Sequence, residues 1–93
     1  MAKSADEALR DVRDGEGRRG RFERDEGGMV SFADYRLEGG RLVIEHVETP
    51  VAGRGGGAAG RLMAAIVARA TADGLEIEPE CGYAAAWLAR SSK

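Results

Sequence analysis

The stretch EHVETPVAGRGGGAAGRLMAAIVARA, residues Glu45–Ala70, leaves a strand-like segment, crosses a glycine-rich turn and continues into an apolar helix. Glycine in a helix costs about 0.5–1 kcal/mol relative to alanine, so a cluster of glycines where a helix must begin needs a reason. The first amides of a helix lack intrahelical partners and carry a partial positive charge. With no side chains around them, these amides can approach an anion closely. The turn therefore predicts a phosphate-binding cradle, with a flexible loop as the alternative.

The helix that follows the turn is predicted over residues 57–73. Its apolar residues recur at the spacing of one helical face. They are Leu62, Met63, Ile66, Val67 and Ala70. Gly74 is the residue type expected just beyond the C-terminus of such a helix.

The segments on either side of this helix complete the predicted fold. Residues 21–48 contain the pairs Gly27-Gly28 and Gly39-Gly40 between alternating or β-branched runs, the signature of hairpins, and so predict three antiparallel strands. A short strand over residues 75–78 should lie parallel to the third strand, and a second helix follows from Gly82. The fold class is α+β, a single domain ordered β-β-β-α-β-α. Residues 1–20 are polar and are expected to be weakly ordered, which assigns the domain to residues 21–93.

Composition narrows the functional classes. The chain has 93 residues, of which 43% are hydrophobic and 32% charged, with a net charge of -2. Its basic residues form no stripe, so we expect no nucleic-acid partner and no membrane surface. The chain also has no apolar run of the roughly 20 residues needed to span a bilayer. Its N-terminal residues contain no apolar core of the kind found in signal peptides. Together with a lone cysteine, Cys81, these features favour the cytoplasm. The preference for Arg, Ala and Gly over Lys suggests a bacterial chain.

Three glycine motifs compete for the turn. Gly55, Gly57 and Gly60 satisfy the G-x-G-x-x-G dinucleotide fingerprint, but those glycines should come straight off a strand, and Pro50 intervenes. The same stretch has P-loop spacing, yet Arg61 stands where that motif needs its phosphate-binding lysine. The third motif, R/Q-x-x-G-x-G/A, fits RGGGAAG over residues 54–60.

This third motif resembles the diphosphate-binding turn of the GNAT superfamily of acetyl-CoA-dependent N-acetyltransferases. The resemblance extends from about Phe22 to Arg90 and is closest to a small, roughly ninety-residue branch that reads H-x-E-x-P, R-G-x-G, then P-x-C-x-[FY] and an aromatic helix. The residues that match this pattern are His46, Glu48, Pro50, Arg54, Gly55, Gly57, Cys81, Tyr83 and Trp87.

The resemblance implies that acetyl-CoA is the cosubstrate, with its diphosphate on the turn and its pantetheine arm along the preceding strand. The residues implied to bind it are His46, Val47, Arg54, Gly55, Gly56, Gly57, Ala58, Ala59 and Gly60. Members usually transfer acetyl directly to an amine. The reaction then requires a neutral amine, a polarised carbonyl and a proton for the departing thiolate.

Three residues are candidates for the chemistry. Cys81 should lie at the start of the last helix, where a thiolate is stabilised, and is a candidate acid or transient acyl acceptor; the alternative is a small packing residue. His46, the lone histidine, is a candidate base or a structural histidine. Glu48 should share its face and either orient it or accept the amine's proton. No cluster of metal ligands is present.

Three functions follow from these residues. The first is an N-acetyltransferase whose partners are acetyl-CoA and an amine acceptor, either a protein or a small molecule. The second is an acetyl-CoA-binding module with little or no catalysis, because the chain lacks the extra helices with which larger members build an acceptor pocket. The third is a structural or interaction protein. An exposed strand edge is consistent with a monomer or a weak homodimer.

Overall fold

The computed structural model describes residues 9–91, which form a five-stranded sheet with two helices. Four antiparallel strands come first. They are β1 (Leu9–Arg13), β2 (Arg19–Glu26), β3 (Met29–Glu38) and β4 (Arg41–Glu48). Both predicted hairpins are confirmed, because all four glycines of the two pairs have positive φ, as tight turns between twisted strands require. The sheet order β1-β2-β3-β4-β5 follows the chain.

Strand β1 departs from the sequence prediction, which gave three antiparallel strands and a weakly ordered segment over residues 1–20. Its sequence, LRDVR, has only two apolar residues, too few for a strand pattern. The strand is held by tertiary contacts instead. Leu9 is buried in the core, and Asp11 accepts a hydrogen bond from the hydroxyl of Tyr35. Residues 9–20 therefore belong to the folded domain, whereas residues 1–8 lie outside the described part of the chain.

Helix α1 (Ala58–Ala72) agrees with its prediction to within one residue at each end. It follows a short 3-10 turn over Val51–Gly53 and the glycine-rich segment. Its C-terminus is closed by Gly74, whose φ of 69° allows the Leu75 amide to donate to the Ala70 carbonyl at 2.8 Å. The predicted apolar stripe faces the sheet, so α1 is anchored by packing as well as by its cap.

Strand β5 (Glu76–Pro79) pairs parallel to β4, and helix α2 (Gly82–Ser91) completes the fold. Both helices lie on one face of the sheet, because residues of α1 and α2 share a single core cluster with the inward-facing strand residues. That cluster consists of Leu9, Phe22, Ala33, Tyr35, Leu42, Ile44, Leu62, Met63, Ala65, Ile66, Ala70 and Ala84. Among residues 9–91, neither helix has the length and apolar character needed to cross a bilayer.

The end of β4 positions the functional site. Tyr35 pairs with Ile44 but its neighbour Asp34 pairs with His46, so Glu45 is an extra residue that forms a β-bulge. The pairing with β5 also ends at Ile44. Beyond Ile44 the two parallel strands diverge, and no strand of the described chain pairs with β4 on that side. Residues 45–48 therefore present a free backbone edge beside the start of α1.

Candidate active site

A cleft of about 560 Å³ lies between the free edge of β4, the glycine-rich turn and the start of α2. Its lining includes every residue that the sequence implicated in cofactor binding except Gly56, which lies within the turn itself. The lining residues are His46, Val47, Glu48, Thr49, Gly53, Arg54, Gly55, Gly57, Ala58, Ala59, Gly60 and Tyr83. Residues of the segment 46–60 thus meet Tyr83 of α2 around one concave surface.

The turn presents bare amide groups at one end of this cleft. Gly57 is the N-cap of α1, with a φ of 86° and no side-chain capping bond, and Gly55 has the same positive φ. Within residues 9–91 the backbone amides of Ala58, Ala59 and Gly60 donate no hydrogen bond. Free amides at the positive end of a helix are groups that can bind a phosphate.

Arg54 connects the turn to the end of β4. Its Nε donates to the carbonyl of Thr49 at 3.2 Å, and the Thr49 hydroxyl is 3.2 Å from that of Ser31 in the buried interior. One edge of the Arg54 guanidinium is therefore used to hold the strand end. The residue as a whole remains exposed at the cleft, where its charge is available to an anion.

Arg61 contributes a second support that the sequence analysis missed. Its guanidinium donates twice to the carboxylate of Glu26, at 2.6 and 2.8 Å, and once to the carbonyl of Gly56, at 3.0 Å. The sequence analysis considered Arg61 only as the residue that replaces the lysine of the P-loop motif. The spacing of 35 residues between Glu26 and Arg61 gives no local signal that the two side chains meet.

His46 and Glu48 are brought together at the cleft as the sequence predicted. The His46 Nε2 lies 3.3 Å from the Glu48 Oε1, and both side chains are about half exposed. They point to the face of the sheet opposite the helices, because they pair with Asp34 and Phe32, which face outward.

Cys81 is not brought to the lining of the cleft. It immediately precedes α2, as predicted, and its carbonyl accepts the Ala85 amide at 3.0 Å. Its side chain is half-buried against the core cluster. The amides of Glu80 and Cys81 both donate to the carbonyl of Ile44, at 2.8 and 3.2 Å, where β4 and β5 diverge. The position of the thiol favours the packing interpretation over the catalytic one.

Comparison with known proteins places this arrangement in a family. The family model described as GCN5-related N-acetyl-transferase matches residues 21–93. This chain belongs to the GCN5-related N-acetyltransferase family. Searches of curated proteins and of solved structures returned no match to it. Family membership supports a general acetyltransferase function, in agreement with the resemblance drawn from the glycine turn.

In this family member, Tyr83 and Trp87 lie one helical turn apart in α2 but have different surroundings. Such spacing by default favours core packing for both side chains. Trp87 does pack against the core, but Tyr83 is 39% exposed and lines the cleft. A Cβ built on Gly60 would lie 3.2 Å from the Trp87 Nε1 and 3.9 Å from the Tyr83 hydroxyl. Gly60 thus lets the start of α2 approach the start of α1.

A cluster of charges holds the bulge and the β5–α2 junction on the face of the sheet opposite the helices. Arg36 donates to Glu80 through two nitrogens, at 2.9 and 2.8 Å, and to Glu45 at 2.8 Å. Its hydrogen bond lowers the pKa of Glu80, and the carboxylates in turn raise the pKa of Arg36. Glu78 of β5 also has a partner, Arg41, at 3.1 Å.

No group of three or more metal-ligating side chains occurs among residues 9–91. The groups that line the cleft are backbone amides, one arginine, an imidazole, a carboxylate and a phenol. These groups bind anions and exchange protons.

Proposed function

We propose that the protein is an acetyl-CoA-dependent N-acetyltransferase that moves an acetyl group to an amine. The observation that carries the proposal is one cleft with a bare helix N-terminus at one end and the free edge of β4 along its side. A diphosphate needs the first feature, and an amide-containing pantetheine arm needs the second.

The residues of the turn fit a diphosphate. Gly55 and Gly57 adopt a positive φ that other residues rarely adopt, and a Cβ at Gly57 would lie 2.9 Å from the Arg61 guanidinium. Together with the amides of residues 58–60, they would hold the diphosphate, with Arg54 supplying charge. Bound in this way, acetyl-CoA supplies an activated acetyl thioester.

Along β4, His46 and Val47 would contact the arm of the cosubstrate through their backbone groups. The side chains of His46 and Glu48 are proposed to accept the proton of the attacking amine, since an imidazole beside a carboxylate is a suitable general base. Tyr83 lines the opposite wall and carries a hydroxyl that can donate a hydrogen bond into the cleft. Cys81, the candidate acid from the sequence, does not line the cleft, so its role is tested by whether kcat survives its replacement.

The test combines binding with turnover. Thermal shifts with acetyl-CoA, CoA, NAD and ATP should favour the first two, and a ligand at a hundred times its dissociation constant should stabilise by about 2.7 kcal/mol. Incubation with acetyl-CoA and two probes, spermidine and a lysine-containing peptide, should release CoA and add one acetyl group by mass spectrometry. A preference for NAD would contradict the assignment of the turn. Binding without turnover would indicate the alternative, a CoA-binding module.

A further inference from the structure

The carbonyl of Gly56 is the one turn carbonyl that a side chain of the described residues holds. The Arg61 Nη2 donates to it at 3.0 Å, while the Nε and the same Nη2 donate to Glu26. Glu26 ends β2, a rigid strand of the sheet, and also accepts from Arg24. The strand, the carboxylate and the guanidinium thus form a chain of contacts that ends at a single peptide of the cradle.

That peptide joins Gly56 to Gly57, the N-cap of α1. A trans peptide is planar, so its N–H points away from its C=O, and fixing one fixes the other. Both residues are glycines, whose backbones would otherwise turn freely. We infer that Arg61 is a positioning residue: by holding the Gly56 carbonyl outside the cleft, it turns the Gly57 amide toward the bound diphosphate. This inference rests on the proposed function.

The contacts distinguish this role from direct phosphate binding. A guanidinium that binds a phosphate presents its two parallel donors to the oxygens. Those donors of Arg61 already meet Glu26, and its positive charge is balanced by that carboxylate. Arg54, by contrast, lines the cleft and forms no ion pair among the described residues. Arg54 and Arg61 are therefore expected to respond differently when their surroundings change.

Glu26 provides the decisive variant. In Glu26→Gln one acceptor oxygen and the negative charge are lost, so Arg61 keeps at most one of its two hydrogen bonds to this side chain, Arg24 loses its ionic partner, and the hold of Arg61 on the Gly56–Gly57 peptide is weakened. If Arg61 positions the turn, the affinity for acetyl-CoA falls in Glu26→Gln as it does in Arg61→Met. If Arg61 is a phosphate ligand, the affinity rises, because a competing carboxylate has been removed.

Calorimetry on the full chain measures the dissociation constants of acetyl-CoA and of S-acetylpantetheine, which lacks the diphosphate. We expect Arg61→Met and Glu26→Gln to weaken acetyl-CoA binding about tenfold, equivalent to about 1.4 kcal/mol, and to leave S-acetylpantetheine unchanged. Arg61→Lys should fall between wild type and Arg61→Met. Glu23→Gln is the matched control, since Glu23 lies on the same strand but faces outward to Arg10 at 3.1 Å.

A further measurement separates positioning from charge. The Gly57 amide resonance of the ligand-free protein should shift in both variants and stay in place in Glu23→Gln.

Tighter or unchanged binding in Glu26→Gln overturns the inference while wild-type binding keeps the proposed function intact. Equal losses for acetyl-CoA and S-acetylpantetheine also overturn it, because they indicate general unfolding of the cleft. If wild type itself fails to bind acetyl-CoA, both the proposed function and the inference fail.

Discussion

The two helices begin close together, yet their N-termini are built for different purposes. At α1 the cap is Gly57, and the next three amides have no partner within residues 9–91. At α2 the cap is Cys81, and its own amide and that of Glu80 donate to the carbonyl of Ile44, where β4 and β5 separate. The first amides of α2, residues 82–84, also have no partner within residues 9–91, but Tyr83 is the one of these residues that lines the cleft, whereas residues 58–60 of α1 all line it. A helix N-terminus is therefore a candidate binding site only where the fold places its free amides in a cleft.

The largest effect should come from closing the open terminus. In Gly57→Val a β-branched residue is forced into positive φ, which costs about 1–3 kcal/mol, and its Cβ meets the Arg61 guanidinium. We expect acetyl-CoA affinity to fall by at least about tenfold, as measured by calorimetry. Gly15→Ala is the control, because Gly15 has no positive φ and no atom near its Cβ position. Unchanged affinity in Gly57→Val would contradict the role of the turn.

A smaller effect is expected at the anchored terminus. Cys81→Ala removes a half-buried sulfur that packs on the core but does not line the cleft. We expect a loss of about 1 kcal/mol in the free energy of unfolding, measured in urea, and a kcat for acetyl transfer within about threefold of wild type. A fall in kcat of a hundredfold or more at unchanged stability would instead assign the thiol a part in the chemistry.

The smallest effect concerns the acid stability of the same junction. Arg36 lowers the pKa of Glu80 below its ordinary value of 4.5, so this pair stabilises the fold above that pH and stops doing so as the pH falls through the lowered value. The free energies of unfolding of wild type and Glu80→Gln, measured in urea, should differ by a small, constant amount above about pH 5 and converge in more acidic solution. If the difference in the free energy of unfolding grew on acidification instead, the pKa of Glu80 would not be lowered by Arg36.

Local patterns were enough to predict much of the fold. Helix α1 was placed within one residue at each end because its apolar stripe, Gly57 and Gly74 are all signals within one segment. The two glycine pairs identified both hairpins for the same reason. Strand β1 was missed because the contacts of Leu9 and Asp11 that hold it come from residues distant in sequence.

The features of the site could also be predicted where they lie within one segment, and not where they depend on separate elements. The glycine turn and the His46–Glu48 pair were predicted because each lies within a few residues of sequence. The support from Glu26 to Arg61 and the exposure of Tyr83 were not, because both depend on how separate elements pack. Cys81 shows the limit most clearly, since a reactive thiol and a packing residue at a helix start have the same sequence pattern.

The bulge at Glu45 reverses the inward and outward alternation of the side chains along β4. Before it, Ile44 faces the core; after it, His46 faces outward although it is an even number of positions away. Were Glu45 paired regularly with β3 instead of bulged, simple alternation would turn the imidazole and the Glu48 carboxylate inward and bring Val47 into solvent. The chemistry available to an incoming amine thus depends on the bulge in this strand as much as on the identity of its residues.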